Sequence, residues 1–276
     1  MTLVTLSDVL QPALKNGYAV AGLVTSGWED MRAYVAAAEA ENVPVILQAG
    51  PGCRDHTPLP ILGKMFRYLA EQASVPVVAH LDHGYTFEDC KEALDSGFTS
   101  LMFDGSRKPL QQNIDETAAI AELAHTAGIS CEGEIGFVGY SGGENSAGTN
   151  PDEAAKFSLE TGVDAMAISV GNVHLQQDKE GGLDEPRIRA IESATKVPLV
   201  IHGGSGGPRT QRTALARGSK ICKFNIGTEL RMAFGQALRE AVNSDPTRFD
   251  RVTILTETHD PVVAATRRVL NAFKEE

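Results

Sequence analysis

The stretch "VPVVAHLDHG" (75–84) runs from buried-type residues into His80, Asp82 and His83. Three polar side chains in four positions are more than a hydrogen-bonded filler of a core requires. Two further histidines, His174 in "VGNVH" and His202 in "IHGGSGG", also follow apolar runs. Converging imidazoles suit a divalent transition metal, most simply Zn²⁺, because neutral nitrogen donors match its borderline softness. Three protein ligands also leave one coordination position open. His83, His174 and His202 are the candidate ligands. For any one of them the alternative is a hydrogen-bonded histidine of a core or rim. Asp82, beside His83, has the chemistry of a general acid or base; its alternative is a carboxylate that orients a ligand histidine. His80 shares the parity of Asp82 one layer deeper and reads as structural.

Something must bring these residues together. β-rich runs recur at 18–25, 43–49, 75–82, 99–104, 129–136, 164–171, 197–204 and 220–227, separated by helix-patterned segments such as "WEDMRAYVAAAEAE" and "TFEDCKEALDSG". Thr86 is placed to cap the latter, and several helices run into Gly or Val-Pro before the next strand. Eight alternations predict a single-domain TIM (β/α)₈ barrel over residues 1–276, with a C-terminal helix from about Pro261 to the end. A doubly wound open sheet is the runner-up, but "GLVTSGWED" after the first strand lacks a dinucleotide fingerprint.

In a barrel, active-site residues sit at the C-terminal ends of the strands. The third strand ends in Asp82 and His83, and the fourth in Asp104. The fifth carries Glu132 and Glu134, and the sixth leads to His174. The seventh ends in His202, the eighth in Asn225 and Thr228. "HGGSGG" and "NIGT" precede helix-patterned segments, the first opened by Pro208. There, backbone N–H groups and helix dipoles can hold an anion such as phosphate. The alternative for the first is a flexible Gly/Ser linker.

The bulk composition narrows the class. The net charge of −11 with no long basic run argues against nucleic acid and anionic membranes as partners. No apolar run approaches the roughly 18 residues of a membrane span. "MTLVTLSDVLQPALKNG" reads as a short helix, with Ser7 as a possible N-cap, rather than a signal peptide. The four cysteines have no paired spacing and read as reduced thiols of a cytoplasmic protein.

The ordered set "HLDHG", "DGS", "EGEIG", "GNVH", "HGGSG" and "NIGT" resembles the class II metal-dependent aldolases of fructose- and tagatose-bisphosphate, from about Leu6 to Phe273. The resemblance implies a barrel with a catalytic Zn²⁺ that reversibly cleaves a ketose (bis)phosphate to dihydroxyacetone phosphate and an aldehyde. It implies His83, His174 and His202 as zinc ligands and Asp82 as the acid/base at the aldehyde-derived oxygen. Asp104 and Glu134 would hold a second divalent ion or support the site. Gly203, Gly204 and Ser205, with Asn225, Ile226, Gly227 and Thr228, would bind dihydroxyacetone phosphate, alongside a monovalent cation (Na⁺ or K⁺). A glutamate on the loop after the fifth strand would protonate the carbon; Glu144 is the only acid in "FVGYSGGENSAGTN" (137–150). A homodimer or homotetramer is also implied.

The chain departs from that family pattern at four places. Leu175 follows His174 where glycine is common, and "QAGPGCRDH" stands where a serine- and lysine-containing loop is expected. "GLVTSGWED" replaces an asparagine-rich pattern, and Asn145 follows Glu144. These loops face the aldehyde half of a substrate, so a homologue acting on a different ketose 1-phosphate is an alternative. A non-catalytic sugar-phosphate binding barrel is another, and a Schiff-base aldolase using Lys223 a third. Arg267 and Arg268 are candidates for a terminal phosphate or for the helix surface.

Overall fold

The computed structural model describes residues 2–177 and 182–274. Its architecture is the expected closed parallel barrel. The barrel strands are β2 (Val20–Val24), β3 (Val45–Ala49), β4 (Val77–Gly84), β5 (Ser100–Phe103), β6 (Ser130–Ile135), β7 (Ala165–Ile168), β8 (Leu199–Ile201) and β9 (Ile221–Ile226). Neighbours pair in chain order, and β9 returns to β2 to close the ring. A two-residue strand, β1 (Leu3–Val4), pairs with the start of β4 outside the ring.

Helices cover the barrel: α2 (Trp28–Glu41), α4 (Leu59–Gln72), α5 (Phe87–Asp95), α6 (Leu110–Thr126), α7 (Pro151–Thr161), α8 (Glu185–Ala194), α9 (Arg209–Gly218) and α10 (Thr228–Ser244). The prolines of Val43-Pro44, Val75-Pro76 and Val197-Pro198 sit just before β3, β4 and β8, where a missing N–H costs no ladder bond. Their carbonyls are still used, since Pro76 and Pro198 accept from Val45 and Met166 of the neighbouring strands. Thr86 caps α5 as expected, in a reciprocal box with Asp89.

The outward side chains of the strands join the helices in one apolar layer that includes Leu47, Leu81, Phe103, Ile168 and Phe224. The inward side chains are stacked by polarity. At the floor, Val20, Ile46, Val78, Ala165, Val200 and Cys222 meet Leu6, Val9, Leu10 and Ala13 of α1 (Leu6–Asn16). This helix plugs the N-terminal end, each fully buried Leu or Val contributing roughly 1.5–3 kcal/mol. Above the floor the interior turns polar: Gln48, His80, Asp82, Glu132, Glu134, Lys223 and Asn225 are all buried.

At helix starts, one sequence expectation needs correction and one is sharpened. The N-cap of α1 is Thr5, which forms a reciprocal box with Asp8. Ser7 lies in the first turn, and its N–H instead donates to Ser130 inside the barrel. The C-terminal helix, α12 (His259–Leu270), begins two residues before Pro261, so the proline occupies its first turn. Among elements not foreseen are α3 (Pro51–His56), folded from "GPGCRDH", and α11 (Arg251–Thr256). The four cysteines are free and buried, and no helix among the described residues is long and apolar enough to cross a membrane.

One glycine governs how two covering helices meet. A Cβ on Gly63 of α4 would land on the backbone carbonyl of Ser96, just past α5. Gly63→Ala is expected to lower stability by about 1–3 kcal/mol, read as a lower urea midpoint with an unchanged slope. An unaltered midpoint would mean that α4 and α5 can separate without cost.

Candidate active site

The polar strand ends meet at one mouth. A pocket of about 240 Å³ there is lined by Asp82, His83, His174, Gly203, Ser205, Asn225 and Thr228, with Tyr140, Leu175 and Arg231. The imidazole centroids of His83, His174 and His202 lie 4.7–5.8 Å apart. Each offers a nitrogen within 4.8 Å of the others, and His83, Asp104 and Glu134 form a second such group.

Asp82 and His83 both reach the site although strand alternation sends neighbours to opposite faces. The backbone resolves this. The β4–β5 register breaks between Leu81 and Gly84, and His83 takes φ +52°. That left-handed conformation costs a non-glycine residue roughly 1–2 kcal/mol. Arg54, carried by α3, holds the turn: its guanidinium donates to the carbonyls of Ala49 (3.2 Å), Asp82 (2.7 Å) and His83 (3.0 Å).

Asp82 is gripped at one oxygen only. Its Oδ1 accepts from Gln48 Nε2 (3.1 Å) and Asn225 Nδ2 (3.2 Å). Its Oδ2 faces Gly50 on the pocket wall, 3.3 Å from where a Cβ would stand. His83 Nδ1 donates to Asp104 Oδ2 (2.8 Å), whose other oxygen accepts from Ser106 N–H and hydroxyl. His83 Nε2 and His202 Nδ1 are 3.1 Å apart. The main chain of His174 is fixed by Gly139 and Ser141, and Tyr140 stacks on its ring at 4.9 Å. Asn172 donates to the His202 carbonyl.

The electrostatics show what the cluster lacks. Burial alone would lower the His83 pKa, but Asp82, Asp104 and Glu134 outweigh it and hold the value at about 10. Burial and the charge on His83 push His174 down to about 4 and His202 well below its usual value. Burial, then the negative charge of Asp104, pushes Glu134 well above the carboxylate range. Its Oε2 has no hydrogen-bond partner although it is buried, and it lies 3.7 Å from His83 Nδ1 and 3.6 Å from His202 Nδ1. Without a metal, the surrounding carboxylates hold a proton on His83, and Glu134 Oε2 is left without a hydrogen-bond partner. Three nitrogen donors beside an orphaned carboxylate oxygen fit a divalent cation.

The anion side is built from backbone. Gly203 has φ +61°, and a Cβ there would run into the Val173 carbonyl. A 3₁₀ turn (Gly204–Gly206) and the N-terminus of α10 at Thr228 border the pocket, and the N–H of Glu229 donates to Ser205 Oγ. Asn225, Gly227 and Thr228 line the pocket, while Gly204 and Ile226 are buried behind it.

Glu144 is not brought into this group. Its exposed carboxylate pairs with Arg107 Nη1 at 2.6 Å, and its segment is clamped by Phe137–Ala147 backbone bonds. Arg267 pairs with Glu41 at the C-terminal end of α2, on the floor side of the barrel, and Arg268 is exposed. Lys223 is fully buried and paired with Glu132, and His80 is a buried partner of Ser100, as its parity suggested.

Sequence reasoning missed Arg54, Gln48, Tyr140 and Arg231. Gln48 carried a usable signal, since it is a polar residue inside "VPVILQA" on the inward parity of its strand.

The fold and its mouth together define a barrel enzyme built around a candidate metal centre. The chain belongs to the class II fructose-bisphosphate aldolase family, aldehyde-lyases whose family model matches residues 4–276. It is 36% identical over 272 residues to a fructose-bisphosphate aldolase of Geobacillus stearothermophilus, covering 96% of this chain and 94% of that one. It is also 36% identical, over 285 residues, to a 6-phospho-5-dehydro-2-deoxy-D-gluconate aldolase of Shouchella clausii, covering 99% and 95%. The crystal structure of the YdjI aldolase from Escherichia coli K12 superposes with a TM-score of 0.85 at 31% identity, covering 98% and 97%. Equal identity to aldolases named for two different substrates leaves the choice of sugar to the mouth residues.

Gly22 of β2 gives the Asp82 grip its room. A Cβ there would collide with Gln48 Oε1 and come within 2.9 Å of Asn225 Oδ1. Gly22→Ala should displace both amides from Asp82 and lower turnover by about 10²-fold, the effect of a misplacement near 1 Å. Steady-state kinetics beside a thermal melt would check this; an unchanged turnover would show that catalysis does not depend on the two amides.

Proposed function

We propose that the chain is a zinc-dependent aldolase that reversibly cleaves a ketose phosphate, of the fructose- or tagatose-1,6-bisphosphate type, to dihydroxyacetone phosphate and an aldehyde. The observation that carries this reading is the convergence of His83, His174 and His202 in one pocket with Asp82, whose Oδ2 is left free. A zinc ion on the three histidines would act as a Lewis acid toward the negative charge left by C3–C4 cleavage. Asp82 Oδ2 accepts the C4 hydroxyl proton as the bond breaks and returns it in condensation. Gln48 and Asn225 keep that carboxylate from rotating. The backbone around Gly203–Ser205 and Gly227–Thr228 holds the dihydroxyacetone phosphate end. Glu144 can serve as the carbon acid only after its pair with Arg107 opens.

Leu175, Thr228 and Arg231 border both the pocket and a neighbouring groove, which is also lined by Arg239. This cationic groove supports an aldehyde that bears an anionic group. A different ketose 1-phosphate is the second reading, favoured by Leu175. Its backbone takes φ +58° and its half-exposed side chain borders both pocket and groove.

Asp104 and Glu134 would take a second divalent ion with His83, and a monovalent cation would sit by the phosphate loops. Four buried free thiols suit the cytoplasm. Exposed Tyr68, Ile61 and Phe87 on the α4–α5 side suit a homodimer or homotetramer. The whole chain, 1–276, would act as one domain.

A panel of ketose mono- and bisphosphates, coupled to detection of dihydroxyacetone phosphate, tests the reading. Activity should vanish with a chelator and return with Zn²⁺ or Co²⁺; full activity in metal-free protein would sink the zinc mechanism. Asp82→Ala should cut cleavage by about 10²–10⁴-fold with bound metal unchanged. If no member of the panel is cleaved, the cleavage reading fails and a sugar-phosphate binding barrel becomes the better reading.

A further inference from the structure

Beneath the three histidines lies a buried polar chain that the aldol chemistry does not use. Lys223 Nζ sits 2.7 Å from Glu132 Oε2 and 3.3 Å from His80 Nε2. His80 Nδ1 is 2.8 Å from Ser100 Oγ, and Glu132 Oε1 is 3.1 Å from His202 Nε2. Lys223, His80, Ser100, Glu132 and His202 are all 0% exposed. An ammonium has only donors, so it donates to both Glu132 and His80. His80 accepts at Nε2 and therefore carries its hydrogen on Nδ1, which donates to Ser100. The Glu132 carboxylate, an acceptor only, takes the hydrogen of His202 Nε2. A neutral imidazole has one N–H, so the other nitrogen, Nδ1, is bare. Nδ1 is the atom that faces His83.

We propose that the Lys223–Glu132 pair is a positioning device for the candidate metal centre. Glu132 holds His202 in the tautomer whose Nδ1 lone pair points at the metal position, and Lys223 holds Glu132 in register. This rests on the zinc reading above and names how one ligand is aimed. Carboxylates that fix a ligand histidine change metal affinity by about 10–100-fold when removed. The same geometry gives Lys223 a role other than Schiff-base chemistry. Its nitrogen is spent on a buried carboxylate and an imidazole, with no surface on the pocket.

Two measurements test the device. Long-range ¹H–¹⁵N spectra of metal-free, histidine-labelled protein report the tautomer of each ring, assigned for His202 by comparison with His202→Gln. The wild-type His202 should carry its hydrogen on Nε2. A hydrogen on Nδ1 overturns the proposal. The second measurement is zinc affinity, by competition with a chromophoric chelator, for Glu132→Leu/Lys223→Met. Exchanging both members of a buried ion pair for apolar residues is often tolerated, so the double variant should keep a cooperative melt. Its zinc dissociation constant should rise about 10–100-fold, and its His202 signal should show mixed tautomers. Wild-type affinity in a folded double variant overturns the proposal. Should the double variant fail to fold, the wild-type spectrum and the zinc affinity of Lys223→Met decide in the same way. Wild-type protein that binds no zinc would count against the aldolase mechanism itself, while the spectrum would still decide the His202 assignment.

Discussion

Asp82 and His83 are consecutive, and both must face one cavity. A regular strand cannot do this, and much of the mouth is arranged around the way β4 breaks its alternation. The slipped register against β5 turns His83 inward, at the cost of a left-handed backbone. Arg54 then ties the two carbonyls of that turn to the end of β3. The short helix α3 exists where it can deliver that guanidinium. Once the turn is held, His83 meets Asp104 on one side and His202 on the other, and Asp82 comes within reach of Gln48 and Asn225.

Charge is the second organising constraint. Asp82, Glu132 and Glu134 are buried, and the half-buried Asp104 crowds in beside them. Two of them have explicit partners that neutralise them: Lys223 for Glu132, and His83 for Asp104. Glu134 Oε2 has no hydrogen-bond partner among the described residues, and burial pushes its carboxyl well above the usual range. The interior thus carries one cation built into its wall and leaves the upper level short of another. His174 and His202, whose pKa values burial pushes down, stand beside that shortage and form with His83 a group that could hold an ion.

The barrel was legible because its signals are periodic and local. Strands of Val, Ile and Leu recur, three of them opened by Val-Pro, and several of the helices between them run into Gly. The rule that barrel chemistry sits at the C-terminal strand ends then gathered His83, His174, His202, Asp82, Asp104, Glu134 and Asn225 at one mouth. Contacts set by tertiary packing were not legible. Arg54 looks like any loop arginine until α3 forms, and Lys223 invited a covalent role until its carboxylate partner across the barrel was known. Thr5 displaced Ser7 as the cap because Asp8 can answer it, while Ser7 had a partner 123 residues away. Glu144, singled out by kind and loop position, shows that a segment's composition does not say where its side chains stand.

The plug made by α1 has a consequence for traffic. With Leu6, Val9 and Leu10 packed across the floor, the interior is closed at its base by the described residues and open at the rim. Anything that enters must leave by the rim, and water expelled by an arriving ligand uses the same gap. Two fragments formed inside cannot depart through separate doors.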